Sequence, residues 1–269
     1  MVLMRIKGTV RYIVAALSLL LFAVLTMAYS SQQQQLLVCK ALRVNVLDSS
    51  RYRFVTPHRV ERYLNNRIGA LPGCRMREIN TYQIEELLRA LPAVREVSAY
   101  GTADGELRIR VAQRLPMFRI MARDGRSCYV DSEGKSFPLD EQYTAHVLVV
   151  SGQISLPPDT LCMAEEGPYM ASQASYRGFW HDLFDFASYL YHDSFWRALI
   201  AQVYIAREDR IELVPRVGGQ IIVLGDLRDY AYKMNKLWSL YRAQLPGAGL
   251  NQYSEINLIY SNQVVCKRW

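Results

Sequence analysis

The sequence predicts an α+β protein: an N-terminal transmembrane helix, a β-α-α-β-β unit, and then a mixed β domain with helices. Three observations carry that expectation. Tyr12 to Tyr29 is an uncharged run of eighteen residues, about the minimum that crosses a bilayer core of roughly 30 Å. Asn80 to Pro116 reads as a helix, a strand, a tight turn and a second strand. From Phe118 onward short alternating strands recur between glycine turns, interrupted by two apolar helices.

With 269 residues, 51% of them hydrophobic, the chain has enough apolar surface for one large or two small domains. The net charge of +7 invites a nucleic-acid reading, yet the basic residues stand singly among acids. No Cys-x-x-Cys, RNP or helix-turn-helix signature accompanies them. Arg5, Lys7 and Arg11 precede the apolar run, which leaves 7 − 3 = +4 for the remainder, so a mildly basic exported domain with no nucleic-acid partner is expected. Five cysteines (Cys39, Cys74, Cys128, Cys162, Cys266) are too scattered for zinc. In an oxidising compartment they allow one or two disulfides; unpaired, packed cysteines are the expectation.

Residues 1–11 read as a cytoplasmic tail and 12–29 as the membrane helix. Charge returns only at Lys40, and the positive start with a neutral Gln32 to Gln35 run beyond it places the N-terminus in the cytoplasm. A cleaved signal peptide is the rival, because Thr26-x-Ala28 imitates a weak cleavage site. Leu36-Leu37-Val38-Cys39 fails as a lipoprotein box, since Val38 is bulky where a small residue is required.

Leu42, Val44 and Val46 alternate with Ala41, Arg43 and Asn45 as a first strand. Thr56-Pro57 opens a helix with Val60, Leu64 and Ile68 on one face, ended by Gly69 and Pro72-Gly73. Asn80 with Gln83 forms the start of the next, whose apolar positions are Ile84, Leu87, Leu88 and Leu91 and whose stop is Pro92. Each such side chain is worth roughly 1.5 to 3 kcal/mol when buried, so the helix needs a sheet to lie on. Val97 and Ala99, the turn residues Asp104-Gly105, and Leu107, Ile109 and Val111 supply it. Arg108, Arg110 and Arg114 fall on the other face or at the strand's end.

Further on, Phe118-x-Ile120, Cys128-x-Val130 and Val147 to Val150 read as strands, with turns at Asp124-Gly125 and Ser132-Glu133-Gly134, and Gly152 to Pro168 reads as loop. Phe179, Leu183, Phe184, Ala187 and Leu190 mark an apolar helix. Strands follow at Val203 to Ala206, Ile211 to Val214 and Ile221 to Leu224. Asp226 is expected to cap a last helix carrying Leu227, Tyr230, Met234, Leu237 and Tyr241, ending near Pro246-Gly247. A final strand region, Glu255 to Lys267, closes the chain with no later strand to pair with.

Val44-x-Val46, Phe54-Val55-Thr56, Ile84-x-x-x-Leu88, Leu91-Pro92-x-Val94-x-x-Val97 and Leu107-x-Ile109-x-Val111-x-x-Arg114-x-Pro116 resemble the POTRA domain of the bacterial cell-division family FtsQ, also called DivIB. Tyr129-Val130-Asp131-x-x-Gly134-Lys135-x-Phe137-Pro138-Leu139 and Val149-Val150-Ser151-Gly152 look like the start of that family's second domain, and Glu255 to Cys266 like its end. The resemblance implies a POTRA domain over 38–116 and a C-terminal β domain over 117–269. It implies a single-pass inner-membrane protein, periplasmic in bulk and enriched at the division septum, that links divisome proteins without catalysis or cofactor. The implied partners are FtsB and FtsL, with other division proteins reached through the POTRA domain. By strand addition, FtsB would meet the C-terminal edge: Tyr260, Ser261, Val264, Val265, Lys267, Arg268 and Trp269. Tyr260 matches the aromatic the family presents, whereas without the family Tyr260 and Val264 read as residues that finish the core of the β domain. The runner-up is a POTRA-containing chaperone-like component of outer-membrane protein biogenesis, which would call for several POTRA units and a following barrel.

Catalytic readings find no footing in the sequence. Ser132-x-x-Lys135 has the spacing of penicillin-binding proteins but sits in a turn and lacks the Ser-Asp-Asn and Lys-Thr-Gly partners. His58, His146, His181 and His192 show no metal spacing, so neither metal nor cofactor is expected, and Gly101 to Gly105 lacks the third glycine of a dinucleotide loop. The aromatic row from Phe179 to Trp196 is read as core, with an exposed partner-binding fringe as the alternative.

Overall fold

The computed structural model describes residues 17–24, 37–154, 174–244 and 252–269. Residues 17–24 are helical with every side chain exposed, and the rest of the expected membrane helix lies outside the described residues, as do the Thr26-x-Ala28 site, Cys162 and Pro246-Gly247. Among the described residues no helix is long and apolar enough to cross a membrane. The loop expected from Gly152 is described only to Ile154. The chain divides into two compact units: one holds the residues up to Ser49 together with Val55–Ala112, the other Ser50–Phe54 with Gln113–Trp269.

In the first unit β1 (Ala41–Val46), α1 (Pro57–Ile68), α2 (Thr81–Arg89), β2 (Val94–Gly101) and β3 (Glu106–Gln113) follow in that order, with the sheet ordered β1-β3-β2. β1 runs parallel to β3 and sets Leu42 beside Leu107, Val44 beside Ile109 and Val46 beside Val111 on one face, and Arg43 beside Arg108 on the other. Thr56 caps α1 by accepting the Arg59 N–H at 3.3 Å, with Pro57 at its first turn. Asn80 Oδ1 accepts the Gln83 N–H at 3.1 Å, and α2 ends at Arg89, before Pro92, because Ala90 already closes it. Val60, Leu64, Ile84 and Leu88 are buried, as the helical spacing requires. Of Asp104-Gly105, only Gly105 takes positive φ (85°); a Cβ there would come within 2.8 Å of the Val38 carbonyl.

The second unit is a nine-stranded mixed sheet, ordered β12-β11-β10-β9-β8-β7-β4-β5-β6 among the described residues. Its strands are β4 (Pro116–Met121), β5 (Ser127–Asp131), β6 (Ser136–Pro138), β7 (Leu148–Gly152), β8 (Ile200–Arg207), β9 (Arg210–Pro215), β10 (Ile221–Gly225), β11 (Tyr253–Asn257) and β12 (Val265–Arg268). Its helices are α3 (Ala174–His192), α4 (Ser194–Leu199) and α5 (Tyr230–Gln244). Parallel pairs cannot be joined by a tight hairpin, so α3 and α4 lie between β7 and β8, and α5 between β10 and β11. Trp180, Leu183, Phe186, Ala187 and Leu190 of α3 join Trp196 and the inner faces of the strands in one core. The aromatic row is therefore core with a half-buried border.

Three sequence expectations are corrected, and one helix boundary is added. Pro116 opens β4 instead of ending β3. Asp193 separates α3 from α4, capping the second through the Phe195 and Trp196 N–H groups. Asp226 caps no helix: α5 begins four residues later, and the Asp226 carboxylate accepts from Arg228 and Lys233 instead. Arg114 is not a surface charge but lies buried, donating to Asp131 Oδ2 at 2.9 Å.

That pair organises the start of the second unit. Asp131 Oδ1 also accepts the Glu133 and Lys135 N–H groups, both at 2.9 Å, and Gly134 (φ 77°) completes the turn, so Ser132-x-x-Lys135 is a hairpin turn. Next to Arg114, Gln113 Nε2 donates to the Tyr52 carbonyl at 3.1 Å. Two residues on, Phe54 sits among Tyr129, Phe137 and Tyr143, with ring centroids 4.9 to 5.5 Å away.

Two substitutions test this packing. Leu88→Asp sets a charge among the first unit's buried apolar side chains without a partner, and is expected to unfold that unit, read as loss of its cooperative melting transition. Arg114→Met leaves the Asp131 carboxylate buried without its cation, and is expected to lower stability by about 3 to 5 kcal/mol in urea titration.

Candidate functional site

The expected site residues divide between a turn and an edge strand. The alternation of Ile256 and Leu258, both buried, does not continue to Tyr260, because β11 ends at Asn257. The one expected strand region is thus two strands, β11 and β12, joined by a turn over 258–264. Tyr260 and Ser261 lie exposed in that turn, and Val264 packs half-buried on the core. Val265, Lys267 and Arg268 lie on β12, and Trp269 follows with 77% of its surface exposed.

Local chemistry fixes this arrangement. β11 pairs parallel with β10 and antiparallel with β12, with Ile256 opposite Cys266, Asn257 opposite Val265 and Glu255 opposite Lys267. Ser254 is the extra residue of a β-bulge, and its hydroxyl donates to the Lys267 and Arg268 carbonyls, each at 3.2 Å. Gly225, at φ 82°, clears the way for Ile259, whose Cγ1 a Cβ would meet at 2.9 Å.

The turn is held from α5. Lys236 Nζ donates to the carbonyls of Leu258 (2.9 Å), Gln263 (3.5 Å) and Tyr260, and the Tyr232 hydroxyl donates to the Ser261 carbonyl at 2.7 Å. Burial, with the nearby Lys233 charge, sets the Lys236 pKa below the usual lysine value, while burial pushes the Cys266 thiol up. Neither α5 residue is singled out by the sequence pattern; the only local signal is the pairing of Tyr232 and Lys236 four residues apart on one helix face.

β12 has only β11 as a strand neighbour among the described residues, so its other side offers main-chain N–H and C=O groups. Val265, Lys267 and Arg268 are exposed on β12, and Tyr260 is exposed on the turn that precedes it. The opposite edge, β6, is three residues long and ends in Pro138, which has no N–H to give. Among the described residues no three His, Cys, Asp or Glu side chains gather as a metal site.

Residues 115–267 match the family model described as FtsQ/DivIB, C-terminal related, and residues 37–112 match that of the POTRA-like domain. The chain belongs to the FtsQ/DivIB family. That family is one of cell-division proteins without enzymatic activity, and the membership implies a cell-division role here. No curated protein matches the chain.

The base of α5 gives a pH test. Burial raises the Asp226 pKa, but hydrogen bonds from Lys233 (2.6 Å) and Arg228 (2.6 Å) outweigh it, and the net shift is downward. A lowered carboxylate pKa stabilises the fold above its unfolded value, about 3.9, and the stabilisation is lost as pH falls through the folded value. Asp226 remains 27% exposed, which limits the effect. Asp226→Asn is therefore expected to be less stable than wild type by up to about 1 kcal/mol in urea at neutral pH and equal to it near pH 2.

Proposed function

We propose that the chain is a non-enzymatic divisome scaffold, anchored in the inner membrane, that recruits FtsB and FtsL by strand addition to β12. The observation that supports this reading most is the contrast between the two edges of the second sheet. β6 is short and proline-terminated, whereas β12 is open, carries an exposed Val265, and is flanked by a turn that α5 holds in place. Strand addition draws affinity from main-chain hydrogen bonds and selectivity from the side chains beside the edge. Tyr260 is suited to that second role, since a tyrosine presented on a fixed turn gives large contact area at little entropic cost. The domain order also favours this reading over outer-membrane biogenesis, because one POTRA-like stretch leads directly into an FtsQ/DivIB-related one.

The experiment compares melting and FtsB binding on the same samples of full-length protein in detergent. Tyr260 is 51% exposed, so Tyr260→Ala is expected to shift the melting temperature by less than about 2 °C while FtsB affinity falls about tenfold or more. A folded variant with unchanged affinity would exclude this edge as the site. Stability and affinity falling together would make Tyr260 a packing residue.

A further inference from the structure

A second surface of the same unit, distant in sheet order from β12, has the chemistry of a binding site. Arg51, Arg197 and Arg216 surround a cavity of about 360 Å³ whose floor is built by Met117, Leu190 and Ile200. Tyr52, Tyr191 and Trp196 line it as well. The three cations come from far-apart stretches: the segment after β1, α4, and the bend after β9. Among the described residues no acidic side chain lines the cavity.

Five arginines of the chain are neutralised by an acid two residues away: Arg108 by Glu106, Arg126 by Asp124, Arg207 by Asp209, Arg210 by Glu212 and Arg228 by Asp226. Arg51, Arg197 and Arg216 have no acid at that spacing, and among the described residues none lies within 4.0 Å of them. Two of the three are already oriented. Arg51 donates to the Tyr191 hydroxyl at 3.4 Å, and Arg197 donates to the Tyr191 carbonyl at 3.3 Å with its guanidinium 5.7 Å from that ring's centroid.

We infer that this cleft docks a short acidic segment of a partner protein, its carboxylates meeting the guanidinium groups and an apolar side chain entering the floor. Arginines present planar, paired donors that match a carboxylate. A bare phosphate would use the cations but not the apolar floor, whereas a peptide alternating acidic and apolar residues uses both. The site involves neither β12 nor the turn at Tyr260, so it stands or falls apart from the proposed strand addition.

The test is calorimetric titration of full-length protein in detergent at low salt with the capped peptide Glu-Leu-Glu-Phe-Glu and its all-glutamine counterpart. The acidic peptide is expected to bind at least about tenfold more tightly. The double variant Arg197→Glu, Arg216→Glu changes only exposed side chains, so it is expected to melt as wild type does, to lose that binding, and to gain affinity for the corresponding lysine peptide. Tyr260→Ala is expected to bind the acidic peptide as wild type does. Equal binding of the acidic and glutamine peptides, or undiminished acidic-peptide binding by the double variant, would overturn the proposal. So would binding of phosphatidylglycerol nanodiscs that the double variant abolishes without any peptide binding, which would reassign the cleft to a lipid headgroup.

Discussion

An open β-sheet must leave main-chain groups unpaired at two edges, and the second unit depends on how it treats them. The chain spends its shortest strand, β6, and a proline on one edge. At the other it carries the backbone across through α5, inserts β11 beside β10, and folds β12 back as the outermost strand. A strand lying between two others makes every main-chain group inaccessible; a strand added last does not. The bulge at Ser254 and its two hydrogen bonds show that β12 is held in register from its inner side, so the outer side is open without being loose.

The far half of that sheet is fixed by charge instead of by hydrophobic burial alone. Taking Arg114 and Asp131 out of water is costly, and their attraction offsets the cost only because the remaining carboxylate lone pairs are filled by the turn's own N–H groups. The result couples three separate stretches. The β5–β6 turn closes on Asp131, β4 starts beside Arg114, and Gln113 holds the segment that brings Phe54 into the aromatic cluster. Hydrophobic contacts could pack these stretches together in several registers; a buried ion pair with directional donors favours one.

Much of the first unit was legible because its signals are local. The alternation of Leu42, Val44 and Val46, the caps at Thr56 and Asn80, and the helical spacing of Ile84 and Leu88 each follow from neighbours within a few residues. The second unit was legible where a strand alternates over five or more residues, as at β8 and β9. What escaped has distant causes. Arg114 reads as a strand-end surface charge because its acceptor is seventeen residues away. Asp226 reads as a cap because the pattern cannot show that Lys233 will bend back to it. β6, with three residues, is too short to alternate at all. Tyr260 reads as continuing a strand because the turn that removes it is fixed by Lys236 and Tyr232, more than twenty residues upstream. The cleft arginines left no distinguishing trace, because Arg62, Arg110 and Arg119 also lack an acid two residues away and only the fold brings Arg51, Arg197 and Arg216 to one cavity.

That local neutralisation also changes what the net charge of +7 means. An arginine paired with its own neighbour contributes little field beyond a Debye length, about 8 Å at physiological salt. The excess is therefore carried by residues outside such pairs, among them the cleft cations and the pair Lys267 and Arg268 on β12. On the two binding modes proposed above, two basic surfaces of one unit select acidic partners through different physics. At β12 the cations flank an edge whose affinity comes from main-chain hydrogen bonds, so charge there mainly speeds and orients the encounter. In the cleft the cations contact the ligand themselves, over an apolar floor that lowers the local dielectric, and charge is the greater part of the binding. On these proposals, binding at the edge should persist as salt rises, whereas occupation of the cleft should fall away, which separates the two modes in one salt titration.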